Sequence, residues 1–424
     1  MLKKIDKKLN EERLLIVLGF VISIYPLCFL IGSFLINLNT LFACIVFIIF
    51  LLKEKNFDIF KNKFFVILLF LWGSFIINLF FSSNIENSLS RTFGFVRFIL
   101  LALSIKIFFE KSGSQIQKLV FKIWIVTFLV VTFDLIFEFI FGFNTAGFSS
   151  YMPGRLSGFL NQELKIGHLY SAIFLICSVN ILYFTKKNYY LLLFILISIV
   201  VSIFIGERAN FIRVFFMSIF FIIFFDNKNF IKKIIFLTFV SLTLTLFIIK
   251  NEEYNKRFWG QFIKPIIIGK VKTDKIEIKE SFSFKEIINF TVYGANYDRA
   301  YRVFLDNKLF GVGIKNYRNE SNKKKYENKD LHFDKSAASI HPHQVHLEFL
   351  TETGFFGYFS FLIFIFLSFY WSFKNFLKSK NLIIFASSLY LLFSLMPLLP
   401  TGSFFTTFGA TLFWINYGLM INEK

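Results

Sequence analysis

The chain has 424 residues, 56% of them apolar, 67 phenylalanines and a formal net charge of +20. Apolar content at that level, gathered into runs of membrane-crossing length, excludes an ordinary soluble domain and points to an all-α polytopic integral membrane protein. The charge reads as topological, because lysines at membrane edges fix orientation, and it does not indicate nucleic-acid binding. Cys28, Cys44 and Cys177 lie inside apolar runs and suggest neither a disulfide frame nor a zinc site.

In chain order, apolar runs fall near 14–34, 36–52, 64–81, 94–109, 119–142, 168–184, 190–206, 209–225, 231–249, 346–373, 381–398 and 403–420. These predict about twelve transmembrane helices. With the N-terminus inside, twenty Lys and Arg fall on cytoplasmic segments. The short outer loops hold four: Arg91, Arg155, Lys165 and Arg208. That asymmetry fits the positive-inside rule with both termini cytoplasmic, and a missed span would invert it. The organisation is then a nine-span region over 1–249, an outer loop or cap over 250–345 between spans nine and ten, and a three-span region over 346–424. The cap carries nineteen basic and twelve acidic residues and is too long for a plain connector. Within it, 298–311 reads as an amphipathic helix with Tyr301, Phe304 and Leu305 on one face, ended by Gly311. Residues 275–284 alternate like a strand, and 322–330 form a solvated charge run.

Charged residues close to a membrane need a reason. Arg208, in the tight outer turn GERAN, is either an anion ligand or an interfacial side chain snorkelling into water. Asp134 and Glu138 share one face of the fifth span, as a buried pair, an inner lining or an interfacial pair. Arg97, Arg155, Arg299 and Arg302 have the same ambiguity. All of these arginines are expected on the outer side, where a converging set of guanidinium forks would bind a diphosphate. In HPHQVHLEFLTETGFFGY (341–358), Pro342 and the following apolar run place a helix start near His343. The positive end of the helix dipole disfavours imidazolium, so the ring stays neutral, as a general base requires. His341 and His346 flank it, and Glu348 and Glu352 follow on one face. Metal binding is the weaker reading, because no carboxylate is placed as a fourth ligand.

HPHQVHLEFLTETGFFG resembles the signature of the O-antigen ligase and polymerase superfamily, through His343, Gln344, Leu347, Glu352, Gly354 and Gly357. RLSGFLNQELKIGHLY (155–170), GERAN and FLDNKLFGVGIKNYR (304–318) are similar to further stretches of that family, in family order. Glu207 replaces a usual Ser and Lys308 a usual Pro. The resemblance implies a metal-free, cofactor-free glycosyltransferase of the bacterial inner membrane. Its donor would be an undecaprenyl-diphosphate-linked glycan at the periplasmic face. Its acceptor would be a lipid A core hydroxyl for a ligase, or another lipid-linked repeat for a polymerase. His343 carries over as the base, with His341, Gln344, His346 and Glu352 in support. Arg208 and one arginine of the cap helix, Arg299 or Arg302, carry over as diphosphate ligands, with Arg155 beside them. The rival class is a transporter or flippase, whose spans are often broken by Gly or Pro. Only Pro26 clearly interrupts a span here.

Overall fold

The computed structural model describes residues 2–55, 57–161, 163–225, 230–263, 291–331 and 333–423. Among these it is helical with no strand, and every one of the twelve apolar runs carries a helix. The first is split, α1 (Leu2–Ser23) and α2 (Tyr25–Ile31), with Pro26 in the first turn of the second piece, where its missing N–H costs nothing. Gly32, at φ 134°, separates α2 from α3 (Ser33–Glu54). There follow α4 (Lys63–Leu79), α5 (Ile85–Gly94), α6 (Val96–Lys111), α7 (Ser114–Phe141), α8 (Ile166–Thr185), α9 (Asn188–Phe204), α10 (Arg208–Phe225) and α11 (Phe230–Lys250). After the short α12 (Glu252–Asn255) and a π-helical turn, Lys256–Ile263, come α13 (Val292–Asp306) and α14 (Tyr317–Glu320). The chain ends in α15 (Val345–Ser379), α16 (Leu382–Ser394) and α17 (Thr407–Met420).

Seven helices are long and apolar enough to cross a membrane, and the pair Ile235–Lys250 and Glu252–Gly260, bent by 101°, adds an eighth if it counts as one span. The chain is therefore a multi-pass membrane protein. α4, α9 and α16 are apolar but shorter. α8 is apolar all round and buried along most of its length, packed by α7, α9, α10, α16 and α17. α6 packs on α3 and α17. Large apolar side chains such as Phe34, Phe80 and Phe366 stand exposed on the outer surface. Such exposure would be a liability in water and suits contact with lipid tails.

The cap differs from its sequence expectation. Its helix runs Val292–Asp306, not 298–311, and its buried face is Ala295, Asn296, Arg299, Ala300, Val303 and Phe304. Tyr301 and Leu305 are exposed. The reason is packing distance: small Ala300 and Val303 let the helix close on Val312, Tyr317 and Tyr326, and bulk on that face would hold it off. Tyr326 is buried in that cluster, so 322–330 is not solvated throughout. Gly311 lies beyond the helix, in the loop that docks on α15. The strand expected over 275–284 lies outside the described residues.

Candidate active site

Two acidic residues build the first wall. Asp134 and Glu138 on α7 are both buried. Asp134 Oδ1 accepts from the Thr145 backbone N–H at 2.9 Å and its hydroxyl at 2.5 Å. Glu138 accepts from the backbone N–H groups of Ser157 (3.1 Å) and Gly158 (2.7 Å). Together these bonds fix the loop that carries Arg155. That loop docks on the GERAN turn: Leu156 N–H donates to the Ile205 carbonyl at 3.1 Å. Gly206, at φ +71°, is required there, because a Cβ would collide with the Gly154 carbonyl.

Arginines gather at this junction. Arg155 pairs with Glu207 at 2.8 Å and donates to the Leu164 carbonyl at 2.8 Å. Glu207 thus tempers Arg155. Arg208 donates to the Arg257 carbonyl at 3.2 Å. Arg257, in the π-helical turn, donates to the carbonyls of Gly206 (3.1 Å) and Pro153 (3.4 Å), tying three segments together. Among the described residues, three guanidiniums gather at this turn, with Glu207 paired to one of them. Arg257 was missed by the sequence reading because its role depends on this docking. Arg213, one turn into α10, is buried and donates to Asn210 Oδ1 at 2.8 Å and to the Pro400 carbonyl.

The histidines form the facing wall. α15 starts at Val345, with Gln344 as N-cap, its side-chain oxygen accepting from Leu347 N–H at 2.9 Å. This capping is the physical use of the amide after His343. His343 precedes the cap in a left-handed conformation, φ 58°, held by Thr401 N–H donating to its carbonyl at 2.8 Å. Its ring lies 4.1 Å from His341, centroid to centroid, and meets Tyr293 edge-on at 5.9 Å. Burial holds the His343 ring below its ordinary pKa. Burial, then the neighbouring His343, take His341 down to about 3. Both rings are neutral near pH 7. Tyr293 also interacts electrostatically with Arg208 and Arg213, so it stands between the histidine wall and the arginine wall. No motif announced it.

The other expected residues have different surroundings. His346 has both ring nitrogens partnered, to the Leu395 carbonyl at 2.8 Å and the Tyr358 hydroxyl at 3.2 Å. It opens onto an apolar groove of about 330 Å³ between α15 and α16, with Phe361, Ile365, Phe369 and Leu392 in its walls. Arg299 is buried, paired with Asp334 at 2.6 Å and donating to the Ser321 carbonyl at 2.8 Å. Arg302 pairs with Asp298 at 2.8 Å on a partly exposed face. Neither is joined to Arg208 by these contacts. Glu352 is buried at a break in α15, where its carboxyl interacts with the backbone N–H groups of Lys315 and Tyr317.

That break explains the glycine pattern. Gly354 has φ 64° and ψ −168° inside α15. The loop 308–313 fills the gap: Val312 and Gly313 donate to the carbonyls of Thr351 and Glu352, each at 2.9 Å, while Phe355 and Phe356 donate to those of Lys308 and Leu309. A Cβ at Gly311 would lie 2.5 Å from the Glu352 carbonyl carbon. GVG and TETG are thus the two halves of one interlock, which seats the cap on α15 directly after HPHQ.

Residues 165–362 match a protein-family model described as O-antigen ligase, a stretch that holds GERAN, the interlock and HPHQ. No curated protein matches the chain. The family match supports an O-antigen ligase- or polymerase-like function, of glycosyltransferase type, with a lipid-linked glycan and an acceptor as partners in general. That segment, just under half of the chain, supports a place in the O-antigen ligase and polymerase superfamily.

Proposed function

We propose that the protein transfers a glycan from undecaprenyl diphosphate to an acceptor hydroxyl at the periplasmic face of the bacterial inner membrane. Lipid A core is the preferred acceptor, and a lipid-linked repeat, as for a polymerase, the alternative. Twelve crossings, both termini cytoplasmic and 250–345 periplasmic, complete this reading. His343 takes the proton of the acceptor hydroxyl. The hydroxyl oxygen forms the new bond to the anomeric carbon from the side opposite the leaving group. The carbon–phosphate oxygen bond breaks, and its electron pair departs with the diphosphate, so the anomeric centre inverts. Arg208, with Arg155 and Arg257, balances the charge that grows on the leaving oxygens. Arg299 and Arg302, expected as ligands, instead hold the cap together in this scheme, and no metal takes part.

One observation supports the reading: the Tyr293 ring lies 5.9 Å from that of His343, centroid to centroid, and Tyr293 interacts electrostatically with Arg208, so one residue links the base to the cation. The test is transfer by purified wild type, His343→Ala and Arg208→Lys, given an undecaprenyl-diphosphate glycan with and without lipid A core, in EDTA. Transfer to core by wild type alone is expected, because lysine replaces a fork with a point charge. Lengthening of the lipid-linked glycan without core would assign a polymerase. Undiminished transfer by His343→Ala would refute the base.

A further inference from the structure

The junction of α5 and α6 has no part in the transfer just described, yet it gathers cations. Arg91 lies in the last turn of α5 and Arg97 in the first turn of α6, either side of Phe95. Both line a cavity of about 190 Å³ together with Lys315 and the rings of Phe95, Phe98 and Phe405, and no carboxylate is among its lining residues. Arg318 interacts electrostatically with Arg91 and with Lys315, adding a fourth positive charge. The neighbouring carboxylate is Glu352, which interacts with Arg91 and Arg318 but is buried behind the cap loop, toward the backbone N–H groups of Lys315 and Tyr317.

The polar groups here are incompletely used. Arg97 Nε is buried with no hydrogen-bond partner among the described residues, as is Arg318 Nε. The Arg97 guanidinium lies over the Phe98 ring at 4.7 Å. Arg91 donates to the Phe405 carbonyl at 3.2 Å. Lys315 is held in a left-handed conformation, φ 71°, which costs a residue with a side chain. Its neighbour Asn316 fixes that backbone by donating to Ser82 Oγ at 2.7 Å and to the Val312 carbonyl at 3.0 Å. Burial, then Arg91 and Arg318, hold the Lys315 ammonium below its ordinary pKa. Like charges crowded with no carboxylate among the lining residues, on a backbone held in place to present one of them, make a site built for an anion.

We propose that this pocket binds a phosphate ester, separately from the Arg155–Arg208–Arg257 cluster. Two guanidinium forks and an ammonium match the several oxygens of a phosphate better than the two of a carboxylate. The aromatic walls accept the apolar part of an ester. A volume well under the ~300–1,000 Å³ of a drug-sized site admits a headgroup and not a glycan. The phosphate is either the headgroup of an anionic membrane lipid or a free phosphate. The inference does not depend on the transfer reaction.

The test uses full-length protein carrying Arg208→Gln, so that the first cluster is weakened. Inorganic phosphate, dioctanoyl phosphatidic acid and uncharged dioctanoylglycerol are titrated by native mass spectrometry. Phosphatidic acid should bind, dioctanoylglycerol should not, and adding Arg97→Gln with Lys315→Gln should weaken the binding at least about tenfold. Parallel loss of inorganic phosphate would assign a site for phosphate itself, and loss of the lipid alone a headgroup site. Unchanged affinity in the triple variant would overturn the proposal. Wild-type protein gives a second readout that no folding defect can blur: phosphatidic acid should slow acetylation of Lys315 and leave exposed Lys308 unaffected. Equal acetylation of Lys315 with and without the lipid would also overturn it.

Discussion

Replacing Gly354 with alanine tests whether the interlock holds the cap in place. The backbone there, φ 64° and ψ −168°, lies where only glycine is at ease, and another residue pays of order 1–3 kcal/mol. The new Cβ would also collide with the carbonyl of Leu309 and sit 2.6 Å from the nitrogen of Gly311. These are backbone atoms, which cannot swing aside as a side chain can, so overpacking adds about 1–3 kcal/mol. The total, about 2–6 kcal/mol, is a large fraction of a typical folding free energy of about 5–15 kcal/mol. Four backbone hydrogen bonds between 308–313 and 351–356 depend on the same close approach. Gly73 in α4 is the control, since nothing lies within 4 Å of a Cβ there and alanine favours a helix. In detergent, Gly354→Ala should melt well below wild type and lose glycan transfer, whereas Gly73→Ala should do neither. If the two variants melted alike, the interlock would not be what seats the cap.

Four further expectations concern charge. Arg299→Ala removes a buried guanidinium from the partly buried Asp334 and should lower the melting temperature more than Arg302→Ala does. Arg302→Ala breaks a half-exposed pair and should cost at most about 1 kcal/mol. Glu138→Gln weakens the bonds that hold the Arg155 loop, so proteolysis within 144–158 should quicken; an unchanged cleavage rate would detach Glu138 from that role. His341, with its folded pKa near 3, stays neutral while the unfolded chain takes up a proton below about pH 6.5. Its contribution to stability is therefore complete above pH 6.5 and lost progressively toward pH 3. His341→Gln should flatten the wild-type melting curve between pH 6.5 and 4, and parallel curves would refute that assignment.

What the sequence made legible was whatever acts locally. HPHQ announced a helix start because proline, an amide cap and an apolar run are neighbours in the chain, and α15 begins at Val345. The apolar runs announced their helices for the same reason. The purpose of Asp134 and Glu138 was not legible, because their partners are backbone N–H groups of a loop that is placed only after folding. Arg299 shows the limit most clearly. An arginine on a cap helix reads the same whether it awaits a phosphate or a carboxylate, and the Asp334 it pairs with is thirty-five residues away. Arg257 and Tyr293 were invisible for the converse reason, since neither belongs to a motif and each gains its place from segments that meet in three dimensions.

The arginines also divide in a way the charge pattern concealed. A single converging set, read from Arg97, Arg155, Arg208, Arg299 and Arg302, becomes three groups with different partners. Arg155 and Arg208 join Arg257 around the GERAN turn. Arg97 joins Arg91 and Lys315 across the α5–α6 bend. Arg299 and Arg302 are neutralised inside the cap. Two groups keep excess positive charge and one does not, and excess charge separates a site for an anion from a strut. His341 interacts with His343 on one side and with Arg318 on the other, so the residue beside the proposed base also senses the second cationic pocket. Filling that pocket with phosphate would offset a cation acting on His341 and lift the proton affinity of the histidine wall. The same phosphatidic acid titration, followed through the imidazole resonances of His341 and His343, should move both toward higher pKa in wild type. In Arg97→Gln with Lys315→Gln the resonances should stay still, and a shift of equal size there would sever the pocket from the histidines.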